Sequence, residues 1–281
     1  MISKHWAYYN ERDDFATAYL DNLITAGLIA PGVVDTRSIV DVAPEDLKGF
    51  TQCHFFAGIG IWSLALRLAK WPDDVPVWTG SCPCQPFSLG GLRKGFSDER
   101  HLYPVWSRLI ENHKPVAVFG EQVSSKDGLE WLAVVQDDME IKGYRFGALD
   151  LCSPSVGSEN PRQRSYFVGL GDADDPRLEG LGRRSELGEC CEEKQIDRTG
   201  HAYFGQRDSS TYGWGDGTYW VQNTQGVWRR TEPELSPVAY GDPARVGSMQ
   251  TFGNAINARV ASEFISSVMD EIVEGDFFGG L

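Results

Sequence analysis

Gln52-Cys53-His54-Phe55-Phe56-Ala57-Gly58-Ile59-Gly60-Ile61-Trp62-Ser63-Leu64 is the stretch on which the fold turns. Residues Gln52 to Phe56 form a short apolar run that reads as a strand. Gly58 and Gly60 close it with a tight turn, and a helix follows over about Trp62 to Leu68, with Leu64, Leu66 and Leu68 inside it. Strand, glycine turn and helix in that order fit one unit of an α/β sheet, although a glycine-rich turn alone is common.

Outward from this unit the same texture repeats. Residues His5 to Asn10, Pro76 to Thr79, Val116 to Phe119, Phe146 to Leu151 and Ser165 to Leu170 read as further strands. Phe15 to Ile24 and Ala258 to Val273 carry apolar residues at helical spacing. Short apolar runs alternating with helical patterns predict a parallel, doubly wound α/β sheet. From about Gly171 to Val227 the texture changes to Gly, Arg, Asp, Glu and Ser with scattered aromatics, as in a small loop-rich lobe.

The chain has 281 residues, enough for one large domain or a domain with a lobe. The beginning is charged early and lacks an apolar signal core, and no run is long enough to span a bilayer, so a cytoplasmic protein is expected. The six cysteines show neither a disulfide framework nor paired CxxC zinc spacing, so reduced thiols and no metal are expected. A net charge of −14 argues against indiscriminate coating of nucleic acid. It leaves room for a local basic cleft built from Arg162/Arg164, Arg183/Arg184 or Arg229/Arg230.

The densest chemical signal is Gly80-Ser81-Cys82-Pro83-Cys84-Gln85-Pro86-Phe87-Ser88, directly after an apolar strand. A cysteine there sits where α/β sheets place their active sites, although free cysteine is also a common core residue. Pro83-Cys84-Gln85 resembles the nucleophile loop of the DNA cytosine-5 methyltransferase family, with Phe87 and Ser88 also matching. Four more stretches resemble that family's motifs in the usual order. They are Phe56-Ala57-Gly58-Ile59-Gly60, Glu121-Gln122-Val123, Arg162-Gln163-Arg164 and Gly253-Asn254-Ala255-Ile256. Together they span most of the chain.

The resemblance implies a Rossmann-like S-adenosyl-L-methionine-dependent methyltransferase sheet with a small irregular target-recognition lobe. It implies transfer of a methyl group to C5 of a flipped-out cytosine in double-stranded DNA, with no metal. Cys84 is then the nucleophile that adds to C6, Glu121 the group that holds or protonates N3, and Arg162 and Arg164 the groups that steady the base. Phe56, Ala57, Gly58, Ile59, Gly60 and Asn254 become cofactor-site residues. Gln85, Ser88, Arg93, Lys94, Arg229 and Arg230 become DNA contacts, with Leu89 to Gly95 as a glycine-rich basic loop closing on the duplex. A monomer acting on DNA in a bacterial host, with restriction-modification or phage relatives, is the corresponding expectation.

One departure from the family order is informative. Between Gly60 and Cys84 there is no room for the family's second and third strands. The missing elements resemble upstream segments: Trp6 to Glu11 resembles the strand that ends in an acidic residue, and Asp35 to Val42 resembles the next motif. This reading makes residues 1–50 a permuted cofactor segment, with Glu11 for the ribose and Ser38 and Ile39 beside the adenine. The expected organisation is a core at 1–170, a target-recognition region at 171–245 and a returning segment at 246–281. His54, Ser38, Gln122 and Asn160 stand where the family usually has other residues. RNA cytosine methylation, a modified S-adenosyl donor, a silent DNA-binding relative and a small-molecule dinucleotide enzyme remain as alternatives.

Overall fold

The computed structural model describes residues 6–83, 102–156, 162–171, 176–178, 219–222, 228–231 and 255–274. The chain divides into two compact units, residues 1–183 with 249–281, and residues 184–248.

The first unit is a seven-stranded sheet. Its strands are β1 (Ala7–Asn10), β2 (Gly32–Asp35), β3 (Gln52–Phe55), β4 (Val77–Gly80), β5 (Ala117–Val123), β6 (Arg145–Cys152) and β7 (Gln163–Leu170), in the spatial order β2-β1-β3-β4-β5-β7-β6. The first five of these are mutually parallel, with Tyr9 opposite His54 and His54 opposite Thr79. β7 runs antiparallel to both β5 and β6, which corrects the expectation of an all-parallel sheet. An antiparallel β7 needs only a short return from β6, whereas a parallel strand there would need another crossover helix.

The helices are α1 (Asp14–Thr25), α2 (Ile61–Leu68), α3 (Tyr103–His113), α4 (Lys126–Ile141) and α5 (Ala258–Glu274). They cover both faces. On one face α2 and α5 pack Trp62, Leu66, Phe264 and Ile265 against Ala117, Phe119, Tyr166 and Val168 of the sheet. On the other, α3 and α4 bring Trp106, Ile110, Trp131 and Val135 onto Phe55, Trp78, Val118 and Phe167. Alternate residues of each strand therefore enter different cores, as a period-2 pleat with two covered faces requires. The observed architecture is a doubly wound, Rossmann-like α/β sheet.

The N-terminal strands arrive as a unit of their own. Asp13 caps α1 by accepting from the Ala16 N–H at 2.9 Å, a contact worth about 1 kcal/mol. Leu20 of that helix packs with Ala7, Tyr9, Ile29 and Ala57, so β1 and α1 are sealed against the glycine turn. The second upstream strand lies at 32–35. Asp35 ends it, and Ile39–Asp41 is a 3-10 turn rather than strand.

In the second unit the described residues form one antiparallel hairpin, β8 (Tyr219–Gln222) with β9 (Trp228–Thr231).

Candidate active site

The carboxyl ends of β1, β3, β4 and β5 and the start of the antiparallel β7 lie along one edge of the sheet. That edge gathers Glu11, the glycine turn, Ser81-Cys82-Pro83, Glu121 and the two arginines.

The glycine turn is set by backbone geometry. Phe56, Gly58 and Gly60 all have positive φ, at 51°, 53° and 79°. For Phe56 this left-handed conformation is costly, of order 1 kcal/mol, and such strain tends to persist at functional sites. Gly60 is the N-cap of α2. A Cβ built on Gly58 would meet nothing within 4 Å, so the turn faces open space.

β1 holds the turn from the side. The Ala57 N–H donates to the Asn10 carbonyl at 3.0 Å. One carboxylate oxygen of Glu11 accepts from the Gly58 N–H at 2.7 Å, and the other accepts from the Arg12 and Asp13 N–H groups at 2.8 and 2.9 Å. The buried Asn10 side chain donates to the Asp35 and Arg37 carbonyls, fixing the chain as it leaves β2. Ser38 is half-buried beyond that point, whereas Ile39 is 2% exposed and serves the core. Burial alone would raise the Asp35 carboxyl. The Arg37 guanidinium and the Tyr8 hydroxyl outweigh it and hold the group below the usual carboxylate range.

The reactive end is built from three strands. Glu121 is the fifth residue of β5 and is 9% exposed. The Arg164 Nε lies 3.4 Å from Glu121 Oε2 across the β5–β7 pair. Burial raises the Glu121 carboxyl above its ordinary range, against the pull of Arg164, of Arg162 and of a Ser81 hydrogen bond. Arg162 is half-buried at the entry to β7, and burial followed by the neighbouring Arg164 lowers its affinity for its proton. The Gln122 amide reaches the Cys82 carbonyl at 3.4 Å on the opposite face of the sheet.

The structure thus brings together Glu11, Phe56, Ala57, Gly58, Ile59, Gly60, Glu121, Arg162 and Arg164. Cys84, Gln85, Ser88, Arg93, Lys94 and Asn254 lie outside the described residues, as do the side chains of Arg229 and Arg230, whose backbones belong to β9. Sequence reasoning missed two members of the site, Trp62 and Ser81, joined by a hydrogen bond of 3.0 Å. Ser81 lies in the same stretch as Cys84, but nothing local marks Trp62 as its partner. His54 is buried and neutral, bonded to Thr79 and Gln52, so this departure from the family pattern is absorbed in the core.

Among the described residues no three His, Cys, Asp or Glu side chains group as metal ligands, and no helix is long and apolar enough to cross a membrane.

Strand order and an open glycine turn at the strand ends define a Rossmann-like α/β sheet. Residues 59–188 match the family model for C-5 cytosine-specific DNA methylases. Over 99 residues it is 37% identical to the type II methyltransferase M.HhaI of Haemophilus parahaemolyticus, covering 34% of this chain and 30% of that protein. Over 128 residues it is 30% identical to M.NlaX of Neisseria lactamica, covering 42% and 41%. The chain spans under half the length of these curated relatives. The solved structure of S. pombe Dnmt2 methyltransferase aligns with a TM-score of 0.38 and 15% identity, over 75% of this chain and 64% of that one, too loosely to add to the case.

Proposed function

We propose that the chain is a DNA cytosine-5 methyltransferase that uses S-adenosyl-L-methionine. The observation that carries this reading is the pairing of Glu121 with Arg164 at the strand ends, one strand over from the loop that leads to Pro83-Cys84-Gln85. Cytosine C5 is a weak nucleophile. Addition of the Cys84 thiolate to C6, with a proton delivered to N3, turns C5 into an enamine carbon able to attack an electrophilic methyl group.

Glu121 suits the proton donor. Burial favours its neutral form, and the cations beside it stabilise the carboxylate left after transfer. The guanidinium of Arg164 presents a planar set of donors to the base and the intermediate, and Arg162 adds a second such fork. Loss of the C5 proton to a base and elimination of the Cys84 thiolate from C6 restore the aromatic ring and the free enzyme. The target base must leave the duplex stack for any of this to occur.

The residues present fit the cofactor. The open space over Gly58 admits its close approach, and the Glu11 carboxylate at the end of β1 stands where ribose hydroxyls are held in such folds. Bound there, S-adenosylmethionine supplies the electrophilic methyl. Phe56, Ala57, Ile59 and Gly60 line the turn, Ser38 lies beyond β2, and Asn254 belongs to the same proposal. Residues 1–50 act as the family's second and third strands, permuted ahead of the glycine-loop strand. The support is the order β2-β1-β3-β4, together with a family match that begins only at Ile59.

Gln85, Ser88, Arg93, Lys94, Arg229 and Arg230 would contact DNA, with residues 171–245 reading the target. The enzyme would act as a monomer in the bacterial cytoplasm, and a phage origin suits its compact, permuted order.

Trapping on duplex oligonucleotides that carry 5-fluorocytosine tests the reading, because fluorine at C5 cannot leave as a proton does. Wild type with S-adenosylmethionine should give a covalent adduct, and Cys84→Ser should give none. Absence of a wild-type adduct on a randomised duplex library would overturn the proposal in favour of RNA or another donor.

A further inference from the structure

Trp62 opens α2 just after the glycine turn, and it is 3% exposed between Phe119 and Tyr166, with ring centroids 6.4 and 6.1 Å away. Its indole N–H donates to Ser81 Oγ at 3.0 Å. An indole nitrogen can only donate, so Ser81 must accept on that side, and its own hydroxyl proton is left for another group. The register that pairs Gly80 with Gly120 sets Ser81 beside the Glu121 carboxyl on the next strand, where its hydroxyl favours the charged carboxylate. Glu121 Oε2 is buried without a hydrogen-bond partner among the described residues, 3.4 Å from the Arg164 Nε.

We infer that Ser81, itself held by the Trp62 indole, is a positioning residue that orients Glu121 so that its unpartnered oxygen faces the substrate base. The inference rests on the reading of Glu121 as the acid for the cytosine ring. It gives each end of the relay a task. Trp62 belongs to the helix that begins at the cofactor turn, and Glu121 serves the base, so the two halves of the site share one hydrogen-bonded chain. A carboxyl without such a tether would keep several rotamers. Fixing one of them is the kind of support from surrounding groups that a precise site requires. Ser81 also stands three residues before Cys84, so the backbone that carries the nucleophile carries the tether for the acid.

The test uses full-length protein labelled with 13C at glutamate carboxyls, with Glu121→Gln identifying the Glu121 signal. Wild type, Ser81→Ala, Ser81→Thr and Trp62→Phe are titrated by NMR. A hydroxyl that donates to the carboxylate favours the charged form, so its removal should raise the Glu121 midpoint, by about one pH unit. Ser81→Thr should restore the wild-type midpoint, and Trp62→Phe should move it in the same direction as Ser81→Ala but by less. In parallel, the pH profile of kcat should shift with the midpoint while KM for S-adenosylmethionine stays within about twofold. An unmoved midpoint in a folded Ser81→Ala protein would overturn the inference. A midpoint that moves in a protein whose wild type transfers no methyl group would leave the tether standing and sink the methylation reading instead.

Discussion

His54 shows how one residue can carry a pH dependence unrelated to the reaction. Its imidazole is 1% exposed, donates from Nε2 to Gln52 Oε1 at 3.2 Å, accepts at Nδ1 from the Thr79 hydroxyl at 2.8 Å, and stacks on Tyr9 with centroids 4.9 Å apart. Burial pushes its pKa down from 6.5 to about 3. Between those values the unfolded chain takes up a proton that the native protein refuses. The stability tied to this site is complete above pH 6.5. It falls on acidification, by up to about 1.4 kcal/mol per pH unit. Glu121 acts with the opposite sign, because burial lets the native state keep a proton the unfolded chain has already released. Comparison with His54→Gln cancels that contribution. Urea unfolding from pH 7.5 to 5 should show the gap between the two proteins narrowing as pH falls, and a constant gap would refute the assignment. At this scale the sequence was most informative where chemistry is local. Pro83-Cys84-Gln85 and the pairs flanking Glu121 and Arg164 are contiguous, so short motifs expose them. The Trp62–Ser81 bond joins residues 19 positions apart and exists only because β3 and β4 pair.

Among the elements, β5 carries the tightest constraint. Gly120 precedes Glu121, and a Cβ there would stand 2.1 Å from the ring of Phe167. That ring is itself confined, stacked on Phe146 at 5.6 Å and packed against Trp131 at 6.1 Å. Gly120→Ala should therefore cost about 1–3 kcal/mol of stability by chemical denaturation, as overpacking of a filled core does, and should lower activity by displacing the adjacent carboxyl. Strand β7 was legible because Tyr166 to Leu170 is an unbroken apolar run, and β3 because a glycine turn closes it. α3 and α4 were harder to delimit. The buried stripe of α4, Trp131, Leu132, Val135 and Met139, is blurred by Leu129, Val134 and Ile141, which are 50%, 39% and 85% exposed. The antiparallel run of β7 was not visible either, since the direction of an edge hairpin leaves no mark on an apolar pattern.

For the molecule as a whole, the decisive feature is that Glu11 and Gly58, 47 residues apart, meet at 2.7 Å. If the Glu11 carboxylate also binds ribose, Glu11→Gln should weaken S-adenosylmethionine by about 1–2 kcal/mol, roughly ten-fold, with little change in melting temperature. Calorimetric titration measures the first and thermal unfolding the second. Unchanged affinity would remove Glu11 from the cofactor site. The placement of the upstream strands beside the glycine-loop strand was anticipated from a gap: too few residues separate Gly60 from Cys84 for two more strands. A net charge of −14 says little about the proposed DNA contacts, because the residues named for them are few and local.

The placement of β1 beside β3 also bears on how the chain can be divided. β1, α1 and β2 form a continuous leading module, tied to the rest by the β1–β3 pairing, the Glu11–Gly58 contact and the packing of Leu20, Ile29 and Tyr9 against Ala57. A break between residues 41 and 50 falls outside every strand and outside every α-helix. The protein is thus a natural candidate for splitting into two polypeptides that complete the sheet only when they meet, with Glu11 on one piece and the Pro83-Cys84-Gln85 stretch on the other.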